Sequence, residues 1–160
     1  MPSSTLPASA FDTIPDAIAA FRNGEFLVVL DDPSRENEAD LIISAQSITT
    51  AQMAFMIRHS SGLICAPLAP HLTESLELPQ MVPLTATQDP RGTAYTLSVD
   101  AADPSDGVEV EGKALREGGG MMRAEGCIAF ARKFGLKVVT IADLVAYLEK
   151  TEGKVEVNGA

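Results

Sequence analysis

The chain has no tryptophan, two cysteines, two histidines and few aromatic residues, 5% of 160. Cys65 and Cys127 lie far apart with no C-x-x-C pair, which argues against a disulfide framework and fits a reducing, cytoplasmic compartment. Positive charge is scarce: 12 Lys and Arg stand against 22 Asp and Glu, a formal net charge of -10. No basic patch or polybasic run occurs, so electrostatic binding to nucleic acid or to an anionic membrane is not expected. No apolar run approaches the roughly 20 residues that a membrane-spanning helix needs. The opening "MPSSTLPASA" has neither a basic n-region nor an apolar h-region and does not read as a secretory signal.

What is present is an ordinary globular composition, 46% hydrophobic and 21% charged. That suits one domain with a sizeable core. Residues 1–10 read as a flexible tail, 11–154 as a single domain and 155–160 as a second tail. "FDTIPDAIAAFRNGEF" reads as a helix capped by Asp12 or Thr13, with Pro15 in the first turn, Gly24 at the end and Ile14, Ile18 and Phe21 on one face. "FLVVL", "DLIISA", "GLICAPL", "TAYTLSVDA" and "KVVT" read as strands. "TTAQMAFMIRHSSG", "APHLTESLEL", "RAEGCIAFARKFGL" and "TIADLVAYLEK" read as helices, the last opened by Thr140 and Asp143 at capping-box spacing. Residues 103–123, rich in glycine, read as loosely ordered. The alternation predicts an α+β (mixed α/β) fold, a central mixed sheet flanked by helices.

One stretch stands out. "LDDPSRENEAD" places Asp31, Asp32, Glu36, Glu38 and Asp40 between two apolar runs, with Arg35 among them. Most charge runs are solvated loops. Here the loop is pinned by a strand at each end, and Glu36, Glu38 and Asp40 alternate, which puts them on one side of an extended segment. Crowded carboxylates either take up a proton or gather a divalent cation. The first outcome makes a general acid or base, and the second polarises a carbonyl or hydroxyl oxygen. Oxygen-only donors select a hard cation over zinc, and the spacing lacks the glycine and distal glutamate of an EF-hand. Arg35 would bind a substrate oxygen or offset local charge. Other candidates are weaker. His59 sits at a helix end, where the dipole alone accounts for it. His71 reads as a surface residue, and Cys65 reads more readily as core than as nucleophile. Arg91 and Tyr95 in "DPRGTAYT" are candidate site-lining residues, and Gly118–Gly120 have no Walker lysine.

"VVLDDPSRENEADLI", "TTAQMAFMIRHSSGLICAPL", "LPQMV", "DPRGTAYTLSVDA" and "MMRAEGCIAFARKFGLKVVTIADLVAYLEK" together resemble the 3,4-dihydroxy-2-butanone 4-phosphate synthase family, with fungal members nearest in wording. The resemblance covers the chain from Phe11 to about Lys154. It implies a homodimeric lyase of riboflavin biosynthesis that converts ribulose 5-phosphate to 3,4-dihydroxy-2-butanone 4-phosphate and formate with Mg²⁺ or Mn²⁺. It implies Glu36 as a metal ligand and Arg35, Glu36 and Asp40 as substrate contacts, a set to which the site-lining candidate Tyr95 is added. Glu38 and Asp40 would transfer protons, Cys65 would belong to the catalytic set, and His59 would lie close by. The family also carries a long segment after the strand matched by "TLSVDA", whereas this chain runs from Ser105 straight into Asp106-Gly107. A second reading is therefore a catalytically impaired shortened relative, without the family's metal-binding histidine and late catalytic glutamate.

Overall fold

The computed structural model describes residues 7–34, 38–61, 63–83, 86, 95–99 and 122–154. Two compact units emerge, one formed by residues 1–62 with 112–160 and the other by 63–111.

In the first unit, helix α1 (Ile14–Arg22) begins at Thr13, whose hydroxyl accepts the Asp16 N–H at 3.3 Å, with Pro15 in the first turn. Thr13 is thus the cap, because the Asp12 carboxylate is engaged elsewhere. The helix ends at Asn23, and Gly24 follows in the left-handed region, at φ +76°, that glycine adopts without a Cβ clash. Strand β1 (Leu27–Leu30) pairs antiparallel with β2 (Ala39–Ile42), Leu30 opposite Ala39. It pairs parallel with β3 (Lys137–Thr140), Leu27 opposite Lys137. The sheet is mixed, in the order β2-β1-β3, as the sequence leads one to expect.

Central β1 divides its side chains between two cores, as a period of two demands. Val28 and Leu30 pack with Val138 and with Cys127 and Ala131 of helix α4 (Ala124–Phe134), and Ala39 and Leu41 join them. Val29 and Val139 pack with Ile14 and Ala17 of α1, and with Leu144 and Tyr147 of helix α5 (Ile141–Glu152). The most deeply buried helix positions include small residues, Ala17, Ala20 and Ala131. Ile18, Phe21, Ile128, Phe130 and Phe134 are half-buried beside them, because small side chains let a helix backbone approach the sheet while bulky ones flank the contact.

Asp12 holds the outer edge of β3. Its N–H donates to the Val138 carbonyl at 2.8 Å, and its carboxylate accepts the Val138 N–H at 3.0 Å. The same carboxylate takes Arg132 Nη1 at 2.7 Å and Lys137 Nζ at 3.1 Å, while Arg132 Nη2 reaches the Ala10 carbonyl at 2.8 Å. Burial alone would raise the Asp12 pKa, but these hydrogen bonds and the Arg132 charge outweigh it and hold the group below its ordinary value. Read along the sequence, Asp12 had no role beyond a possible cap.

Helix α2 (Thr50–His59) starts with a full capping box, Thr49 and Gln52, and Gln52 Nε2 also donates to the Gly24 carbonyl at 2.7 Å. Met53, Met56 and Ile57 are half-buried rather than fully inward. Helix α4 stops at Gly135, in the left-handed region at φ +67°. Thr140 caps α5 by accepting the Asp143 N–H at 3.0 Å, so that cap follows the sequence.

The second unit contains helix α3 (Pro70–Ser75) and a bridge between Gln80 and Thr96. None of its described residues is buried. "GLICAPL" was expected to be a strand, yet Leu63–Leu68 form none and lie exposed. An apolar run becomes a strand only where a neighbour accepts its backbone hydrogen bonds, and no described segment pairs with this one. Of "TAYTLSVDA", the described residues 95–99 hold a bridge, with Tyr95 and Leu97 bonded to Met81 and Pro79. The glycine-rich segment lies outside the described residues up to position 121. Met122 packs against the α4 core.

Candidate active site

The acidic loop is the connection between β1 and β2. Its neck is closed by the Asp31 N–H donating to the Glu38 carbonyl at 3.0 Å, one step beyond the Leu30–Ala39 pair. Within it, Asp32 accepts the Ser34 N–H at 2.7 Å and the Ser34 hydroxyl at 2.5 Å. Those two bonds pull the Asp32 pKa below its ordinary value, against the nearby charge of Asp31. Hairpin pairing therefore fixes the two ends of the loop, and a local turn orders its start.

Of the residues singled out, Arg35 and Glu36 lie outside the described residues, as do Arg91 and Gly118–Gly120. Glu38 stands at the neck, and its Oε1 lies 3.5 Å from Arg123 Nη1. Asp40 is in β2 opposite Val29, exposed, between the inward-packed Ala39 and Leu41. Cys65 is a free thiol on the exposed segment of the second unit, not the core residue that its strand-like surroundings suggested. Tyr95 is also in that unit, 52% exposed. His71 is exposed on α3.

His59 ends α2 inside an aromatic cluster. Its ring centre lies 4.5 Å from Phe55, 5.0 Å from Phe134 and 6.0 Å from Phe130. Desolvation there, with Arg58 and Lys133 nearby, lowers its pKa and favours the neutral ring. This cluster escaped the sequence reading, since its members are spread along the chain.

Arg123 was also missed. It occupies the N-cap of α4, where its side chain makes no capping bond. The available signal was an arginine at a position that favours Ser, Thr, Asp or Asn.

Among the described residues, no three acidic, histidine or cysteine side chains form a metal-binding group. Two of the carboxylates on view have other partners: Asp32 holds Ser34 and Glu38 meets Arg123. The loop's acidic donors are all oxygens, which suits a hard cation over zinc.

The described residues form a mixed α+β sheet whose β1–β2 connection carries the acidic loop, the class of fold within which the comparisons place the chain. The comparisons make this specific. The family model for 3,4-dihydroxy-2-butanone 4-phosphate synthase matches residues 15–116, and the chain belongs to that family. A synthase of that name from Pyricularia oryzae is 47% identical over 234 aligned positions spanning all of both chains. The Candida albicans synthase is 32% identical over 88% of this chain and 98% of its own length. A crystal structure of a 3,4-dihydroxy-2-butanone 4-phosphate synthase in complex with two magnesium ions superposes with a TM-score of 0.76 at 46% identity, covering 91% of this chain and 100% of that one. The Candida albicans synthase structure gives a TM-score of 0.67 at 29% identity, covering 86% and 98%. The Pyricularia alignment sets 234 positions against 160 residues, so at least 74 of those positions have no residue here. The relatives named here carry the synthase's name, and none favours the catalytically impaired reading.

Proposed function

We propose that this chain converts D-ribulose 5-phosphate to L-3,4-dihydroxy-2-butanone 4-phosphate and formate, with Mg²⁺ or Mn²⁺ as cofactor. The observation that carries the reading is the family match across residues 15–116, which takes in the whole acidic loop. The substrate's atoms divide between the two products with no oxidant, reductant or water consumed. The work required of the protein is therefore to move protons and hold the substrate.

In this reading Glu38 and Asp40 transfer protons during enolisation and rearrangement. Arg35, Glu36, Asp40 and Tyr95 contact the substrate, and Cys65 completes the catalytic set. Glu36 would hold the metal, which would supply Lewis-acid polarisation of a substrate oxygen. The hairpin supports the roles given to Glu38 and Asp40, because it anchors both ends of the loop to the most buried strand. A homodimer in the cytoplasm is the expected setting. No helix among the described residues is long and apolar enough to cross a membrane.

The test is formate release by the purified chain from ribulose 5-phosphate, with and without Mg²⁺. Metal-dependent release that Glu36→Ala reduces by at least about 10³-fold is expected, since groups acting as a unit fail together. Absence of release at high enzyme concentration overturns the proposal.

A further inference from the structure

We propose that Arg123 is a positioning residue for Glu38: it aims the carboxylate that the proposed lyase reaction uses for proton transfer. The inference rests on that functional reading and adds a residue to it. Arg123 Nη1 lies 3.5 Å from Glu38 Oε1, and the Glu38 side chain is 29% exposed.

Both ends of the pair are anchored in one core. The Glu38 backbone is fixed by the Asp31 N–H bond next to Leu30. The Arg123 carbonyl accepts the Cys127 N–H at 3.0 Å, and Cys127 packs with Val28 and Leu30. The spacing between the two backbones is therefore set by packed secondary structure, and the side chains meet across it.

The position of Arg123 supplies a second argument. A cation at a helix N-terminus opposes the dipole, and arginine is a poor N-cap. Arg123 makes no capping bond, and the first turn of α4 carries Glu125 as its acidic residue. The helix alone gives no reason for an arginine here, whereas a loop crowded with carboxylates gives one. A 3.5 Å pair with an arginine side chain that is 59% exposed adds little to stability, so its value lies in orientation.

That contrast supplies the test, made on the full chain. Arg123→Ser installs a good N-cap while removing the partner of Glu38. The expected result is an unchanged or raised Tm together with kcat lower by on the order of 10-fold and KM within about 2-fold, the pattern of a misplaced reacting group rather than lost binding. Arg123→Lys should recover part of kcat. In a Glu38→Gln background, Arg123→Ser should cost nothing further, because the group it positions is gone. Full kcat in Arg123→Ser, or losses that multiply in the double variant, overturns the assignment while the proposed function stands. A parent chain that releases no formate overturns the function itself, and the positioning role with it.

Discussion

Asp12 offers the sharpest test of how this fold is held. β3 is an edge strand, and the Val138 groups that point away from β1 would otherwise be unmatched in a residue that is fully buried. Asp12 satisfies both, one through its own N–H and one through its carboxylate. Asp12→Ala keeps the first bond and loses the second, leaving a part-buried N–H without an acceptor at a cost of about 1–3 kcal/mol. It also removes two ion pairs. Arg132 and Lys137 are 46% and 37% exposed and can return to water, so each pair adds about 0.2–1 kcal/mol. The expected total is about 1.5–5 kcal/mol, which for a chain of this size lowers Tm by roughly 3–20 °C. Asp12→Asn retains an acceptor for Val138 and should lose less than half as much. The sign of the pH dependence follows from the lowered pKa. The carboxylate's contribution is fully present above the unfolded-state value of 3.8 and is lost as pH falls through the lower folded value. Thermal melts of parent, Asp12→Ala and Asp12→Asn between about pH 7 and pH 3 read both effects, the window following from these carboxylate pKa values. If Asp12→Ala melts within about 1 °C of the parent, or if Asp12→Asn is as damaging as Asp12→Ala, the edge-capping account is wrong.

His59 should make stability fall as pH drops from about 6.5 through its lower folded pKa, because the aromatic cluster favours the neutral ring. His59→Phe should flatten that part of a Tm-versus-pH curve, and a parallel curve would refute the link. Gly135→Ala should cost about 1 kcal/mol in denaturant melts, since φ +67° strains any residue with a Cβ although the space around it is open. Thr140→Ala should cost a similar ~1 kcal/mol through the lost cap of α5, and Thr140→Ser should restore most of it.

These contacts also show what a linear reading of the sequence can reach. Caps, turn glycines and β-branched runs are local signals. Thr13, Thr49, Thr140 and Gly135 stand where local chemistry puts them, β1 falls within "FLVVL", one residue shorter, and β3 coincides with "KVVT". The acidic loop was legible for the same reason: five carboxylates pinned between two strands are an electrostatic anomaly that needs no partner to be noticed. "GLICAPL" misled because strand formation is a property of a pair, and its composition says nothing about whether a neighbour exists. Arg123, Asp12 and the His59 cluster were hidden by the same limit. Glu38 meets a residue that belongs to a helix across the core, and Asp12 meets Arg132 and Lys137 near the opposite end of the chain. In each case one partner reads alone as an ordinary surface charge. Only the packing of α4 and β3 on β1 turns it into a constraint. The carboxylates of the acidic loop could therefore be listed from the sequence, but the contact between Glu38 and Arg123 comes from the part of the fold that the sequence leaves implicit.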